Sequence, residues 1–119
     1  MNIVAVMRNQ APATRTAVDQ FLAVPRIMRL GVTELDGTPL VHPVWYTWEG
    51  EQFLLHIGTT SPKRTAMEAQ PVVYFTIDEA SAELFGGVRG KATARIETDA
   101  ARLRTVVEAQ CDHYSGVGD

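Results

Sequence analysis

The sequence predicts an α+β domain built mainly from one antiparallel sheet, and three observations carry that prediction. Apolar residues alternate with period two over most of the chain from Ile27 to Glu97. Two turn dipeptides, Asp36-Gly37 and Glu49-Gly50, divide the first part of that region into hairpin-sized pieces. Helical periodicity is confined to one short stretch in the middle and one near each end. With so little helix to cover both faces, the sheet must curl or close.

The first helix is expected from Thr16 to Val24, where Val18, Phe21 and Leu22 share a face and Pro25 stops the run. From Ile27 the period becomes two, with Met28, Leu30 and Val32 alternating with Arg29, Gly31 and Thr33. After the Asp36-Gly37 turn, Pro39 to Trp48 is β-branched and aromatic and reads as one strand. Glu49-Gly50 then turns into a third strand, in which Phe53, Leu55 and Ile57 alternate with Leu54 and His56. Together these three read as a meander.

A short helix follows, bounded by Pro62 near its start and Pro71 just past its end. In the fourth strand, Val72 to Asp78, Val73, Phe75 and Ile77 alternate with Tyr74 and Thr76. Residues 79–83 are polar or small. In the fifth strand Val88, Gly90, Ala92, Ala94 and Ile96 form a small apolar face opposite Arg89, Lys91, Arg95 and Glu97. Gly86, Gly87 and Gly90 read as close backbone approach in a curled strand. Asp99 can cap a last helix with Leu103, Val106, Val107 and Gln110 on one side, before a loop-like tail from Tyr114 to Asp119.

Composition narrows the function classes. A chain of 119 residues fits one domain, residues 1–119, and folding at this size buries roughly two-thirds of the unfolded surface. The formal charge of −3, from 11 basic and 14 acidic side chains, argues against a domain whose affinity rests on neutralising nucleic-acid phosphates. Single Cys111 excludes an intramolecular disulfide framework, and no Cys/His spacing suits zinc, so a reducing cytoplasmic setting is expected. The apolar run Ile3 to Met7 is too short for a signal peptide or a membrane span. His42, His56 and His113 lie in different elements, and a plain polar role is favoured over metal binding for each.

Two stretches could carry chemistry. In His56-Ile57-Gly58-Thr59-Thr60-Ser61-Pro62-Lys63-Arg64, Ser61 is a good N-cap and Pro62 suits the first helical position. Lys63 and Arg64, however, put cations at the positive end of the helix dipole. Either the helix tolerates them or an anion joins them there, met by backbone N–H groups and the hydroxyls of Thr59, Thr60 and Ser61. In Val41-His42-Pro43-Val44-Trp45-Tyr46-Thr47-Trp48, Pro43 marks an edge or a bulge, because it cannot donate to a ladder. Trp45 and Trp48 beside it are either core and interface aromatics or a surface for a planar ligand. No GxSxG, Walker or GxGxxG motif is present, and no side chain stands out as catalytic.

In order and spacing, these pieces resemble the pyridoxamine 5′-phosphate oxidase-like family of flavin-binding split β-barrels. The resemblance covers about residues 18 to 98. It rests on the Pro25-Arg26 pair before the first strand, the Asp36-Gly37 turn, Val41-His42-Pro43-Val44-Trp45-Tyr46, the S-x-K of Ser61 and Lys63, and the Gly90-Lys91-Ala92 strand. The resemblance implies a six-stranded antiparallel split barrel with short flanking helices, forming a homodimer that holds FMN, or in one branch a deazaflavin, at its interface. It implies an oxidoreductase exchanging hydride at the flavin N5 with a small-molecule substrate. The alternative is a non-catalytic flavin or haem binder. By position, Ser61 and Lys63 match the phosphate-binding motif, with Thr59, Thr60 and Arg64 around it, and Pro43, Val44 and Trp45 match the strand lining the flavin ring. The chain departs from the pattern at Pro62, where the oxidases have Arg, at Phe85, where a polar flavin contact is usual, and in lacking cations on the second strand. These departures point to a divergent relative rather than to pyridoxamine phosphate oxidation. After Tyr114 the family continues into a final strand, so the barrel is expected to be completed differently or to lack that strand.

Overall fold

The computed structural model describes residues 2–7, 14–58, 60–80 and 85–113. Among the described residues, seven strands and three helices run in the order β1 (Asn2–Met7), α1 (Arg15–Ala23), β2 (Met28–Thr33), β3 (Pro39–Val44), β4 (Thr47–Trp48), β5 (Phe53–Leu54), α2 (Pro62–Ala69), β6 (Val72–Ala80), β7 (Phe85–Thr93) and α3 (Ala100–His113). Five strands form one antiparallel sheet in the order β1-β7-β6-β2-β3, and β4 and β5 form a separate hairpin. The large sheet stays open between its edges β1 and β3, as a split barrel does.

Alternation sets the inner face of the sheet. Met28, Leu30 and Val32 of β2 and Val73, Phe75 and Ile77 of β6 are buried, while the alternate positions Arg29, Tyr74 and Asp78 are exposed and Gly31 and Thr76 half-buried. Val88 continues that face onto β7. Helix α1 adds Val18 and Leu22 to the same core, and Thr14 caps it by accepting from the Ala17 N–H at 3.1 Å. Past its end, the Arg26 guanidinium lies 3.8 Å from the Phe21 ring centre and pairs with Glu79 at 3.1 Å, which fastens the α1–β2 link to β6. Fully burying a side chain the size of Leu22 or Ile77 contributes roughly 1.5–3 kcal/mol.

Two glycines do what their positions require. Gly37 takes φ +89° in the β2–β3 turn, where the Asp36 carboxylate accepts from the Thr38 N–H at 2.9 Å. At Gly87 a Cβ would stand 2.9 Å from the Ile77 carbonyl oxygen and 3.2 Å from the Asp78 Cα, so β7 lies too close to β6 for any side chain there.

Two expectations need correction, and one element is new. The stretch Pro39 to Trp48 is two strands: β3 ends at Val44, and the chain crosses at Trp45 and Tyr46 into the β4–β5 hairpin. Tyr46 keeps the inward phase of Leu40, His42 and Val44, reaching the core with 2% exposure and donating to the Val24 carbonyl at 3.3 Å; the alternation stops after it, at the half-buried Thr47 and Trp48. The third run keeps only Phe53 and Leu54 as strand, which makes two separate hairpins rather than a meander. The apolar N-terminal run, whose pattern alone predicts no element, is strand β1, paired with β7 from Asn2↔Lys91 to Met7↔Gly86.

Candidate functional site

The site forms where edge strand β3 leaves the sheet and helix α2 begins. Ser61 caps α2 as expected, its Oγ accepting from the Lys63 N–H at 3.2 Å. The Arg64 N–H goes to the Ser61 carbonyl at 3.1 Å, and the Ser61 N–H goes to the Gly58 carbonyl at 3.0 Å. These N–H groups, expected to be open to an anion, are therefore engaged. What Ser61 keeps for a ligand is its hydroxyl proton, because a hydroxyl that accepts can still donate.

The two cations part company. Arg64 pairs with Glu68 one turn on, at 2.8 Å, an i,i+4 arrangement that offsets its misplacement at the helix start. It also lines a large apolar cavity of about 780 Å³ between the inner face of the sheet and α3, beside Phe53, Leu55, Phe75, Leu103 and Val107. Lys63 turns the other way. Its Nζ lies 3.0 Å from His42 Nδ1, and its side chain enters a separate, more open cleft of about 450 Å³.

That smaller cleft gathers Pro43, Val44, Trp45 and Lys63, which were singled out from two stretches about 20 residues apart, with Ile27, His56, Ile57, Gly58 and Gln110. Pro43 lies on an edge strand, as its missing N–H requires. Trp45 is 42% exposed at the strand's end. Trp48 does not join it: its ring packs 4.6 Å from Phe53 between centroids, and its indole N–H donates to Asp19 Oδ1 at 2.8 Å. The indole, with Arg15 beside it, holds the Asp19 carboxyl below the usual carboxylate range. Trp48 is thus the core aromatic and Trp45 the one at the cleft. Thr60 is exposed and does not line the cleft. Thr59, the side chain of Phe85 and the tail from Tyr114 lie outside the described residues.

Sequence reasoning missed two polar residues here: Gln110, which lines the cleft, and His42, which contacts Lys63 without lining the cleft itself. Gln110 was placed on the inner side of the last helix, but its function there was not. It is 2% exposed, and its Nε2 donates to Thr47 Oγ1 at 3.1 Å and to the Leu54 carbonyl at 2.9 Å, so it ties α3 to the β4–β5 hairpin beside the cleft. An amide on an otherwise apolar helix face was the available signal. His42 had none: only its position on the inner side of β3, between Leu40 and Val44, brings it to Lys63.

An ammonium and a hydroxyl at a helix start, with an exposed indole and a proline-bearing edge strand close by, fit a ligand that joins an anionic group to a flat ring. A volume of this size is within the usual span of small-molecule pockets, about 300–1,000 Å³. Among the described residues no group of three or more His, Cys, Asp or Glu side chains could hold a metal ion, and no helix is long and apolar enough to cross a membrane.

The family model for pyridoxamine 5′-phosphate oxidase matches residues 14–118. The chain belongs to the pyridoxamine 5′-phosphate oxidase family. In structure this family member is similar to a conserved hypothetical protein from Mycobacterium tuberculosis, with a TM-score of 0.81 and 21% identity over 92% of this chain and 69% of that one. It is also similar to an F420 reductase, at TM-score 0.73 and 20% identity over 82% and 76% of the two chains. The haem storage protein HutZ from Vibrio cholerae shares the fold at TM-score 0.66 and 15% identity, over 84% and 75%. No curated protein sequence matches the chain.

Proposed function

We propose that this member of the pyridoxamine 5′-phosphate oxidase family binds FMN in the cleft between β3 and α2 and works as a flavin-dependent oxidoreductase on a small-molecule substrate. The observation that carries the reading is the convergence of Lys63 with Pro43, Val44 and Trp45 on one cleft. Lys63 and the Ser61 hydroxyl hold the phosphate, while Arg64, turned to Glu68 and the other cavity, takes no part. Backbone and side chains of Pro43 to Trp45 lie along the ring and shield it from water. The flavin, when bound, supplies hydride exchange at its N5, and the chain supplies orientation and binding.

A homodimer with the cofactor at its interface belongs to the same proposal. Its support is an apolar row on the outer face of the sheet, where register sets Val41 beside Gly31 and Gly31 beside Tyr74. Val41 is 63% and Tyr74 58% exposed, the kind of patch a second copy covers.

Flavin fluorescence quenching on titration with the protein tests the binding, and sedimentation of the same sample reads the dimer. Lys63→Ala removes one charge-assisted hydrogen bond, worth about 1.5–3 kcal/mol, so FMN affinity should fall about 10- to 150-fold. Riboflavin, which lacks the phosphate, should respond little. An unchanged FMN affinity in Lys63→Ala would remove the phosphate from this seat. The fold likeness to an F420 reductase favours a deazaflavin as the second reading, and a competition titration between the two cofactors decides. Turnover of a nicotinamide donor separates an enzyme from a non-catalytic binder.

A further inference from the structure

Lys63 differs from the other cations of the molecule. Arg15, Arg26, Arg29, Arg64, Arg95 and Arg102 each pair with a carboxylate. Among the described residues Arg89, Lys91 and Arg104 make no such pair and are exposed. Lys63 is half-buried, and the partner it has is an imidazole. Partly burying a cation is costly unless something compensates it, and a neutral ring compensates less than a carboxylate does.

The 3.0 Å contact also fixes what His42 is doing. An ammonium has three donors and no acceptor, so His42 Nδ1 must accept, and its own proton then sits on Nε2. A second proton on the ring would remove the acceptor and set two cations face to face. An anion at Lys63 offsets that conflict. A phosphate oxygen held at about 2.8 Å from Lys63 Nζ lies within about 6 Å of the imidazole, given the Lys63–His42 distance, and its attraction for a protonated ring works against the repulsion from the ammonium.

We propose that His42 is a proton-linked member of the anion seat: it holds the Lys63 ammonium at the cleft before the ligand arrives and takes up a proton from solvent when a phosphate binds. The proposal rests on the phosphate reading of the same cleft. The surroundings of His42 leave room for this. On α2 the facing charge is Lys63, while Arg64 is turned to Glu68. On β2 the residue opposite is Leu30. Across the cleft the titratable group is His56, which is exposed. Among the described residues no carboxylate bonds to His42 or Lys63, so the seat carries positive charge with nothing of its own to neutralise it.

The experiment measures FMN and inorganic phosphate affinities at about pH 5.5 and about pH 7.5, the span over which histidine changes charge, in the wild type and three variants. His42→Asn keeps an acceptor near the Nδ1 position but cannot take up a proton, and His42→Leu removes both. His56→Gln accounts for the second imidazole. The phosphate itself titrates near pH 6, so the readout is the ratio of the two affinities in the wild type divided by that ratio in each variant. That quotient should be about three- to tenfold for His42→Asn, the effect of one charge at about 6 Å in a half-exposed site, and close to one for His56→Gln. His42→Leu should lose affinity at both pH values, because Lys63 is no longer held. A histidine-selective NMR titration with inorganic phosphate should show the His42 ring gaining a proton on binding.

If FMN binds with the same pH ratio in the wild type and His42→Asn, the His42 role falls and the flavin reading stands. If FMN does not bind but inorganic phosphate binds with the expected His42 signature, the flavin reading falls and the anion seat stands. If neither ligand binds at either pH, both fall.

Discussion

Replacing Gln110 with Leu tests how α3 is held. The helix faces the sheet across a cavity of about 780 Å³, so Leu103, Val106 and Val107 gain less from the core than their spacing suggests. Its ion pairs, Arg102 to Glu49 at 3.2 Å and to Glu97 at 3.7 Å, are surface contacts of about 0–1 kcal/mol each. The remaining anchor is Gln110, 2% exposed, with two hydrogen bonds from one nitrogen into the β4–β5 hairpin. Each is worth about 0.5–1.5 kcal/mol net, and removing the donor leaves the Leu54 carbonyl and the Thr47 hydroxyl with less to bond to. Gln110→Leu should therefore cost about 2 kcal/mol. Scaled to a chain of this length, that is a fall in Tm of about 6–12 °C, read by thermal melts followed by circular dichroism, with faster amide exchange in α3. Leu103→Ala should move Tm much less. The reverse order, with Gln110→Leu neutral or stabilising and Leu103→Ala costly, would mean that apolar packing holds the helix and the amide does not.

Two further predictions concern the frame around the cleft. Gly87→Ala should destabilise by about 1–3 kcal/mol in urea titration, because its Cβ would press on backbone atoms of Ile77 and Asp78, which cannot swing away as a side chain can. Asp19→Asn addresses pH. The Asp19 carboxyl is held below its usual range by the Trp48 indole and by Arg15, so its stabilising effect is present above the unfolded carboxylate value and is lost as pH falls through the lower folded value. Between about pH 6 and pH 3, wild-type Tm should drop further than that of Asp19→Asn, which keeps an acceptor for the indole but no charge. Equal drops would show that the carboxylate charge has no part in holding Trp48.

What could be read from the sequence was whatever depends on local period. The strands β2 and β6, the turn at Gly37 and the caps Ser61 and Asp99 follow from neighbours a few residues apart, and each stands where expected; β7 also forms, but as Phe85–Thr93, starting before Val88 and ending before Ala94. Strand β1 did not announce itself, because a run from Ile3 to Met7 has no alternation and gains its pairing from β7, at the far end of the chain. The crossing at Trp45 and Tyr46 was hidden for a related reason: a β-branched and aromatic stretch suits either sheet equally, and the in–out alternation of β3 runs on through Tyr46 without a break. In the cleft, residue types chosen for their own oddity came together, whereas Trp48, His42 and Gln110 acquired their roles from partners at least 20 positions away. Compensation can be local and still be overlooked. Glu68 stands four residues after Arg64, and that spacing alone removes half of the charge conflict at the start of α2.

The same crossing explains why the cleft lies where it does. β3 is an edge because the chain abandons the sheet after Val44, and Pro43 keeps a further strand from pairing fully on that side. The crossing sends Tyr46 into the core and leaves Trp45, its neighbour, facing outward, since successive side chains in extended backbone point opposite ways. The hairpin that follows brings the chain back through His56, Ile57 and Gly58 to begin α2 beside that edge, and α3 is pinned to the same hairpin by Gln110. An exposed indole, an incomplete edge and a helix start are therefore brought together by one topological event, the crossing that Tyr46 anchors in the core. A variant such as Tyr46→Ala would then do more than empty a core position: by releasing the crossing it would separate Trp45 from Lys63.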